Sequence, residues 1–335
     1  MEKLHKISFP GLGIGEMDIE SLALNFKGLT VAWYGVIIVT GILLSVLYIY
    51  LRGKRKKLLL DDLIDVAFFT VIPGIVGARL YYVFFDWMKH PTEYDSLEDV
   101  VAIWEGGLAI YGGIIFGALG CMMALRWKKI NIPAFFDILA PAVQMAQAVG
   151  RWGNFMNAEA FGGETTLPWR MKLECVGHNC SLITQGMEVH PTFLYESLWN
   201  LIGFTFLTFY SKKKKFDGEI FFLYIGWYGL GRMFIEGLRS DSLYIGPLRV
   251  SQWVAAICVA VAVVFLALFY FIRKRRAIAE CIYLPGSKRY AEVMQTESTD
   301  APASSEAVAF AEADSPDSND SNDYNDYNDS NDNPA

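Results

Sequence analysis

Two uninterrupted apolar stretches govern what this chain can become. VAWYGVIIVTGILLSVLYIYL, Val31 to Leu51, runs for 21 residues without a charge, and SQWVAAICVAVAVVFLALFYFI, Ser251 to Ile272, for 22. A helix rises ~1.5 Å per residue, so ~20 apolar residues cross the ~30 Å hydrocarbon core of a bilayer. A soluble core helix would show a polar face instead. Only 19% of the residues are charged, below the ~25% of an ordinary soluble protein. Further apolar stretches complete seven spans at roughly 31–51, 62–85, 106–126, 133–155, 191–211, 218–238 and 251–272. The sequence predicts an all-α integral membrane protein with seven transmembrane helices.

Basic clusters orient the spans. RGKRKK (52–57), RWKK (126–129), KKKK (212–215) and RKRR (273–276) each follow an odd-numbered span and so share one face. They hold 16 Lys and Arg against 8 in the opposite segments 1–30, 86–105, 156–190 and 239–250. By the positive-inside rule the clustered face is cytoplasmic, with the N-terminus outside and the C-terminus inside. The first apolar run begins too late and is too long for a removable signal peptide. The longest outside segment, 156–190, is polar and reads as a small external subdomain within a membrane domain of residues 1–285.

The net charge of −7 belongs to the tail. From residue 290 onward there are 12 acidic and no basic residues, which leaves 24 acidic against 29 basic in the body. The tail, residues 286–335, ends in near-repeats of Asp, Asn, Ser and Tyr, too polar to bury surface that would offset the entropy of ordering. It is expected to be disordered. The five cysteines form no CxxC pair and the four histidines show no metal-ligand spacing, so no metal, cofactor or nucleic-acid partner is expected. Cys175 and Cys180 share an outside loop, where a disulfide and two free thiols both remain open.

The second, fourth and sixth spans carry charges and helix breakers, including Pro73 and Pro141. Broken helices at membrane depth are tolerated where protein or a wet cavity surrounds them. Placed by depth, Tyr34, Arg79, Tyr111, Arg151, Asn154, Glu159, His190, Glu196, Arg232, Glu236 and Arg239 from six spans fall at one level near the outer leaflet. Arg232, Glu236 and Arg239 share a helix face, and Arg151 and Asn154 share another. An arginine at the bilayer centre costs about 2.5–3.5 kcal/mol, so such residues accumulate only where they are paired or used. A plainer account is a structural Arg232–Glu236 pair, helix pairing by Glu159 and Glu196, and interfacial anchoring by Tyr34 and Tyr111. An excess of arginine nonetheless suits phosphate, which guanidinium grips bidentately, and the phosphate at that depth is a phospholipid head group.

GRWGNFMNAEAFG (150–162) resembles the signature of the bacterial prolipoprotein diacylglyceryl transferases at Gly150, Arg151, Gly153, Asn154, Phe155, Asn157, Glu159 and Gly162. WYG (33–35), GARLYYV (77–83), WEGGLAIYGG (104–113), HPTFLYE (190–196) and YGLGRMFIEGLR (228–239) extend the resemblance to about residues 30–272. It implies transfer of a diacylglyceryl group from phosphatidylglycerol to the lipobox cysteine of a prolipoprotein, in the bacterial cytoplasmic membrane. It implies catalytic roles for Arg151, Arg232, Tyr111 and Glu236. Substrate binding falls to Arg151, Asn154, Glu159, Gly162, Tyr34, His190 and Arg239. Some members carry His where this chain has Tyr111, whose pKa of about 10 suits hydrogen bonding better than general-base work. The competing readings are a lipid or solute transporter, for which no inverted repeat is evident, and a phosphotransferase using Asp61, Asp62 and Asp65 to hold metal, which an ordinary helix N-terminus explains better.

Overall fold

The computed structural model describes residues 4–26, 29–90, 94, 96–103, 106–175, 186–239, 244–245, 248–272 and 278–300. The RKRR cluster, a Cys175–Cys180 bridge and the tail beyond residue 300 lie outside the described residues. The chain divides into two compact units, Met1–Tyr290 and Ala291–Ala335.

Seven long helices lie where the apolar stretches predict them: α1 (Trp33–Gly53), α2 (Leu60–Trp87), α4 (Ile110–Trp127), α5 (Ile132–Met156), α6 (Thr192–Tyr210), α7 (Glu219–Glu236) and α8 (Val250–Ile272). A short helix, α3 (Leu97–Val101), precedes α4. Among the described residues, α1, α2, α4, α5 and α8 are long and apolar enough to cross a membrane. The other two, α6 and α7, have 19 and 18 residues, no fewer than α4, and α7 carries Glu219, Arg232 and Glu236. Pro73 and Pro141 do not break their helices, contrary to expectation: α2 and α5 run through them for 28 and 25 residues. A proline removes one hydrogen bond from the ladder, and neighbouring helices hold the rest in place.

Glycines set the tightest helix pairing. A methyl group added at Gly112 would lie 2.3 Å from the Gly77 carbonyl oxygen, and one at Gly120 would lie 1.9 Å from that of Phe69. The backbones of α2 and α4 therefore touch, as small residues allow in membranes. α1 packs on α5, α5 on α6, and α7 on α8.

The all-α expectation needs one correction. The end of the molecule bearing Arg151 is covered by a four-stranded antiparallel sheet in the order β2–β1–β5–β6, formed by Leu4–Phe9 (β1), Ile14–Glu20 (β2), Met171–Cys175 (β5) and Met187–Val189 (β6). Two hairpins, β3 (Leu22–Phe26) with β4 (Leu29–Ala32) and β7 (Tyr244–Ile245) with β8 (Leu248–Arg249), lead into α1 and α8. Ile7, Leu173 and Val189, one each from β1, β5 and β6 and all fully buried, pack with Phe161 and Phe193. In β5 the buried Met171 and Leu173 alternate with the half-buried Lys172 and Glu174, the period of two of a half-buried antiparallel sheet.

The opposite end carries the first three basic clusters and is stitched by a strap that follows α8. Ile282 donates its N–H to Lys56 O at 2.9 Å and accepts from Asn131 N–H at 2.8 Å, and Leu284 donates to Lys129 O at 2.8 Å. Ala279 N–H donates to Asp217 Oδ2 at 3.1 Å. The buried Tyr283 hydroxyl donates to Asp62 Oδ2 at 2.7 Å and accepts from Leu59 N–H at 3.1 Å. Burial first, and then the Asp62 carboxylate, push this phenol's pKa up. Asp62 and Asp65 also form ion pairs with Lys128, which is the structural account of that acidic cluster. Residues 288–300, assigned by composition to the disordered tail, form helix α9 (Lys288–Asp300). Ser287 accepts from Tyr290 N–H at 3.1 Å, and an N-terminal hydroxyl of this kind favours a helix.

Candidate active site

One helix face supplies the first positive charge. Arg151 and Asn154 lie three residues apart near the end of α5, and Arg151 Nη1 donates to Asn154 Oδ1 at 3.2 Å. The chain then turns sharply, with Ala158 and Ala160 at φ of 47° and 57°. Backbone in this left-handed region costs a non-glycine residue about 1–2 kcal/mol. The turn brings Glu159 back to accept from Asn154 Nδ2 at 3.0 Å and from Asn157 Nδ2 at 3.4 Å. Small residues are needed close by, since a methyl group at Gly153 would lie 2.7 Å from the Tyr34 ring.

Helix α7 supplies the second charge. Arg232 Nη2 lies 2.5 Å from Glu236 Oε2. The two arginines meet through α6, where Glu196 places Oε2 2.8 Å from Arg151 Nη2 and Oε1 3.0 Å from Arg232 Nη1. One buried carboxylate thus bridges two guanidinium groups from different helices. Glu196 and Glu236 are 5% and 4% exposed, and burial at that depth is tolerable only because each acid is paired. The expected excess of arginine is therefore tempered, with Glu196 and Glu236 compensating Arg151 and Arg232.

Tyr34, Tyr111, Arg151, Asn154, Arg232 and Arg239 all line one cavity of about 620 Å³. Its size falls within the ~300–1,000 Å³ of small-molecule sites. Tyr228 and Gln147, missed by sequence reasoning, line it too. Each sits four residues before an arginine on the same helix, a spacing that could have marked it.

Other predicted residues stand behind the site. Gly162 N–H donates to His190 O, His190 N–H to Gly163 O, and Gly163 N–H to Leu238 O, at 3.0, 3.0 and 2.8 Å. Gly162 also bridges to Arg239 along the backbone. A methyl group at Gly162 would lie 2.7 Å from His190 Cβ and 2.9 Å from Leu238 O. This clasp joins the ends of α5, α6 and α7. His190 Nδ1 lies 3.3 Å from the Tyr195 hydroxyl. Arg79 is buried away from the cavity lining. Its guanidinium donates to the carbonyls of Val100, Gly106 and Asp99 at 2.9, 2.8 and 2.6 Å, holding the loop before Tyr111.

The family profile described as Prolipoprotein diacylglyceryl transferase matches residues 21–268. A protein of Streptococcus equi subsp. zooepidemicus (strain MGCS10565), named phosphatidylglycerol–prolipoprotein diacylglyceryl transferase, is 41% identical over 255 residues, which is 74% of this chain and 94% of that protein. A protein of the same name from Clostridium botulinum (strain Langeland) is 40% identical over 245 residues, covering 73% of this chain and 95% of its own length. One from Streptococcus suis (strain 05ZYH33) is 39% identical over 259 residues, covering 75% and 93%. The matched segment begins before α1 and ends within α8, so it spans every residue of the cavity, and the chain belongs to the prolipoprotein diacylglyceryl transferase family.

Proposed function

We propose that this protein transfers the diacylglyceryl group of phosphatidylglycerol to the lipobox cysteine thiol of a prolipoprotein, the first step of bacterial lipoprotein maturation. The observation that carries the site assignment is the Arg151–Glu196–Arg232 bridge at the head of the cavity. Two guanidinium groups fixed by one carboxylate hold their donors in place before a phosphate arrives. Such pre-organised charge stabilises a transition state without reorganisation at the moment of reaction.

The sulfur attacks the glycerol carbon that bears the phosphate oxygen. A carbon–sulfur bond forms, the carbon–oxygen bond breaks, and its electron pair leaves on glycerol phosphate while the thiol proton is released. Arg151 and Arg232 neutralise the departing phosphate, and their field favours the thiolate over a thiol of pKa ~8.5. Glu236 holds Arg232 in register. Asn154, steadied by Glu159, positions the head-group glycerol, and Tyr34, Tyr111 and Arg239 hydrogen-bond the substrate from the cavity wall. Gly162 and His190 act through the clasp that sets the loop.

The protein crosses the bacterial cytoplasmic membrane seven times, with its N-terminus outside and its basic face in the cytoplasm. The distribution of Lys and Arg supports this orientation. The sheet and the site then face outward, where the phosphatidylglycerol and the prolipoprotein cysteine meet. The test is release of labelled glycerol phosphate when the protein is given labelled phosphatidylglycerol and a lipobox peptide. Arg151→Ala is expected to lose ~10²–10³-fold in rate, as enzymes do on losing a key charge-stabilising donor. Full activity in that variant would overturn the clamp.

A further inference from the structure

The cavity does not stop at the arginines. On α5, Arg151, Gln147, Val143, Leu139 and Phe135 recur every four residues, and all five line it. These positions form one inclined ridge of the helix. The slot therefore descends ~18 Å below Gln147, at ~1.5 Å per residue. An acyl chain in one leaflet fills about half of the ~30 Å hydrocarbon core, or ~15 Å.

The slot is open at one end and blind at the other. Near the arginines, Ile110 and Ile114 are 71% and 60% exposed, so the wall there is open to lipid. At the far end Phe135, Leu63 and Val66 line the same space while only 1%, 2% and 2% exposed. Polar atoms along the descent are turned inward. Ser45 Oγ donates to backbone carbonyls of Gly41 and Ala142, both at 2.9 Å, and Thr70 Oγ1 donates to Val66 O at 2.6 Å. The walls below Gln147 thus offer carbon to an occupant.

Gln147 marks the change from polar to apolar. Its Nε2 lies 3.0 Å from the Tyr224 hydroxyl, and its buried Oε1 has no hydrogen-bond partner. If the amide turns over, Tyr224 donates to Oε1 and the NH2 faces the slot. Gln147 is one helical turn, ~5 Å, below the phosphate clamp, which is the level of the first ester of a glycerophospholipid.

We propose that this slot receives one acyl chain of the lipid donor. Gln147 donates to the ester carbonyl, and the floor of Phe135, Leu63 and Val66 sets the longest chain accepted. The proposal rests on the transferase reading of the same cavity, and it adds a chain-length ruler that this reading does not require.

The test offers the full-length enzyme an equimolar mixture of phosphatidylglycerols with two identical chains of graded length, together with a lipobox peptide. Mass spectrometry of the thioether products gives the chain-length profile. Phe135→Ala deepens the slot and is expected to move the profile to longer chains. Ala67→Leu, which adds bulk to a lining position, is expected to move it to shorter ones. A methylene that fits or clashes in an apolar pocket is worth about 10-fold or more in discrimination, so each shift should change the long-to-short product ratio by about that factor. Gln147→Leu is expected to raise KM for lipid more than it lowers kcat. Identical profiles for wild type and Ala67→Leu would overturn the ruler even if Phe135→Ala failed to fold. A shift in preferred peptide apolar length, with lipid profiles unchanged, would assign the slot to the signal peptide and overturn it equally. Absence of glycerol phosphate release from any lipid by the wild type would instead defeat the transferase reading, and the ruler with it.

Discussion

Glu196 touches two arginines that lie 45 residues before it and 36 residues after it in sequence. No local spacing announces such a residue. Arg232 and Glu236 were legible as partners because a helix places i and i+4 side by side, and Arg151 because its glycine-rich setting is unusual. Glu196 could be noticed as an acid at membrane depth, but its task depends on how α5, α6 and α7 come together. The task of Arg79 was hidden for a related reason: its partners are backbone carbonyls, which every sequence has. Removing one member of a buried ion pair costs about 3–5 kcal/mol, because the remaining charge is left uncompensated. Glu196→Ala is therefore expected to lower both the thermal midpoint and the rate of glycerol phosphate release, the latter by at least ~10²-fold. Glu196→Gln keeps the shape but not the charge. It is expected to recover much of the stability and little of the rate, a split that differential scanning fluorimetry and the release assay would show.

Among the elements, the α2–α4 pair makes the strictest demand on sequence. The glycines of GGLAIYGGIIFGALG read as a run of small residues, and the structure gives the reason, since the helices approach to backbone contact at Gly112 and Gly120. Gly120→Leu must push α4 from Phe69. Overpacking of this kind costs about 1–3 kcal/mol, and the variant is expected to melt earlier in detergent. The sheet shows the opposite legibility. Strand β1 pairs with β5, joining His5 to Cys175 and Ser8 to Lys172. Two short strands that far apart carry too little periodicity to be told from loop, which is why the outer segment read as an undefined subdomain.

At the level of the whole molecule, the positions of the helices followed from hydropathy, because lipid demands that every backbone group be satisfied within a helix. The strap did not follow. Residues 279–284 have no repeat, and their partners sit in loops after α1, α4 and α6. Tyr283→Phe removes a donor to Asp62 and an acceptor for Leu59 N–H. Leaving such buried groups unpaired costs about 1–3 kcal/mol. The variant is expected to melt earlier while its kcat stays at the wild-type value, since the arginine clamp lies at the other end. A large change in kcat would mean that the two ends are coupled.

The strap also imposes an order on biosynthesis. Its anchors at Lys56, Lys129 and Asp217 are made long before Ile282. The chain from Lys56 to Ile282 takes about 10–45 s to synthesise at ~5–20 residues per second. During that interval the loops after α1, α4 and α6 wait without these backbone partners. A ribosome that has just passed α8 has made every residue of the cavity and the whole segment matched by the family. The enzyme is therefore chemically equipped before it is closed.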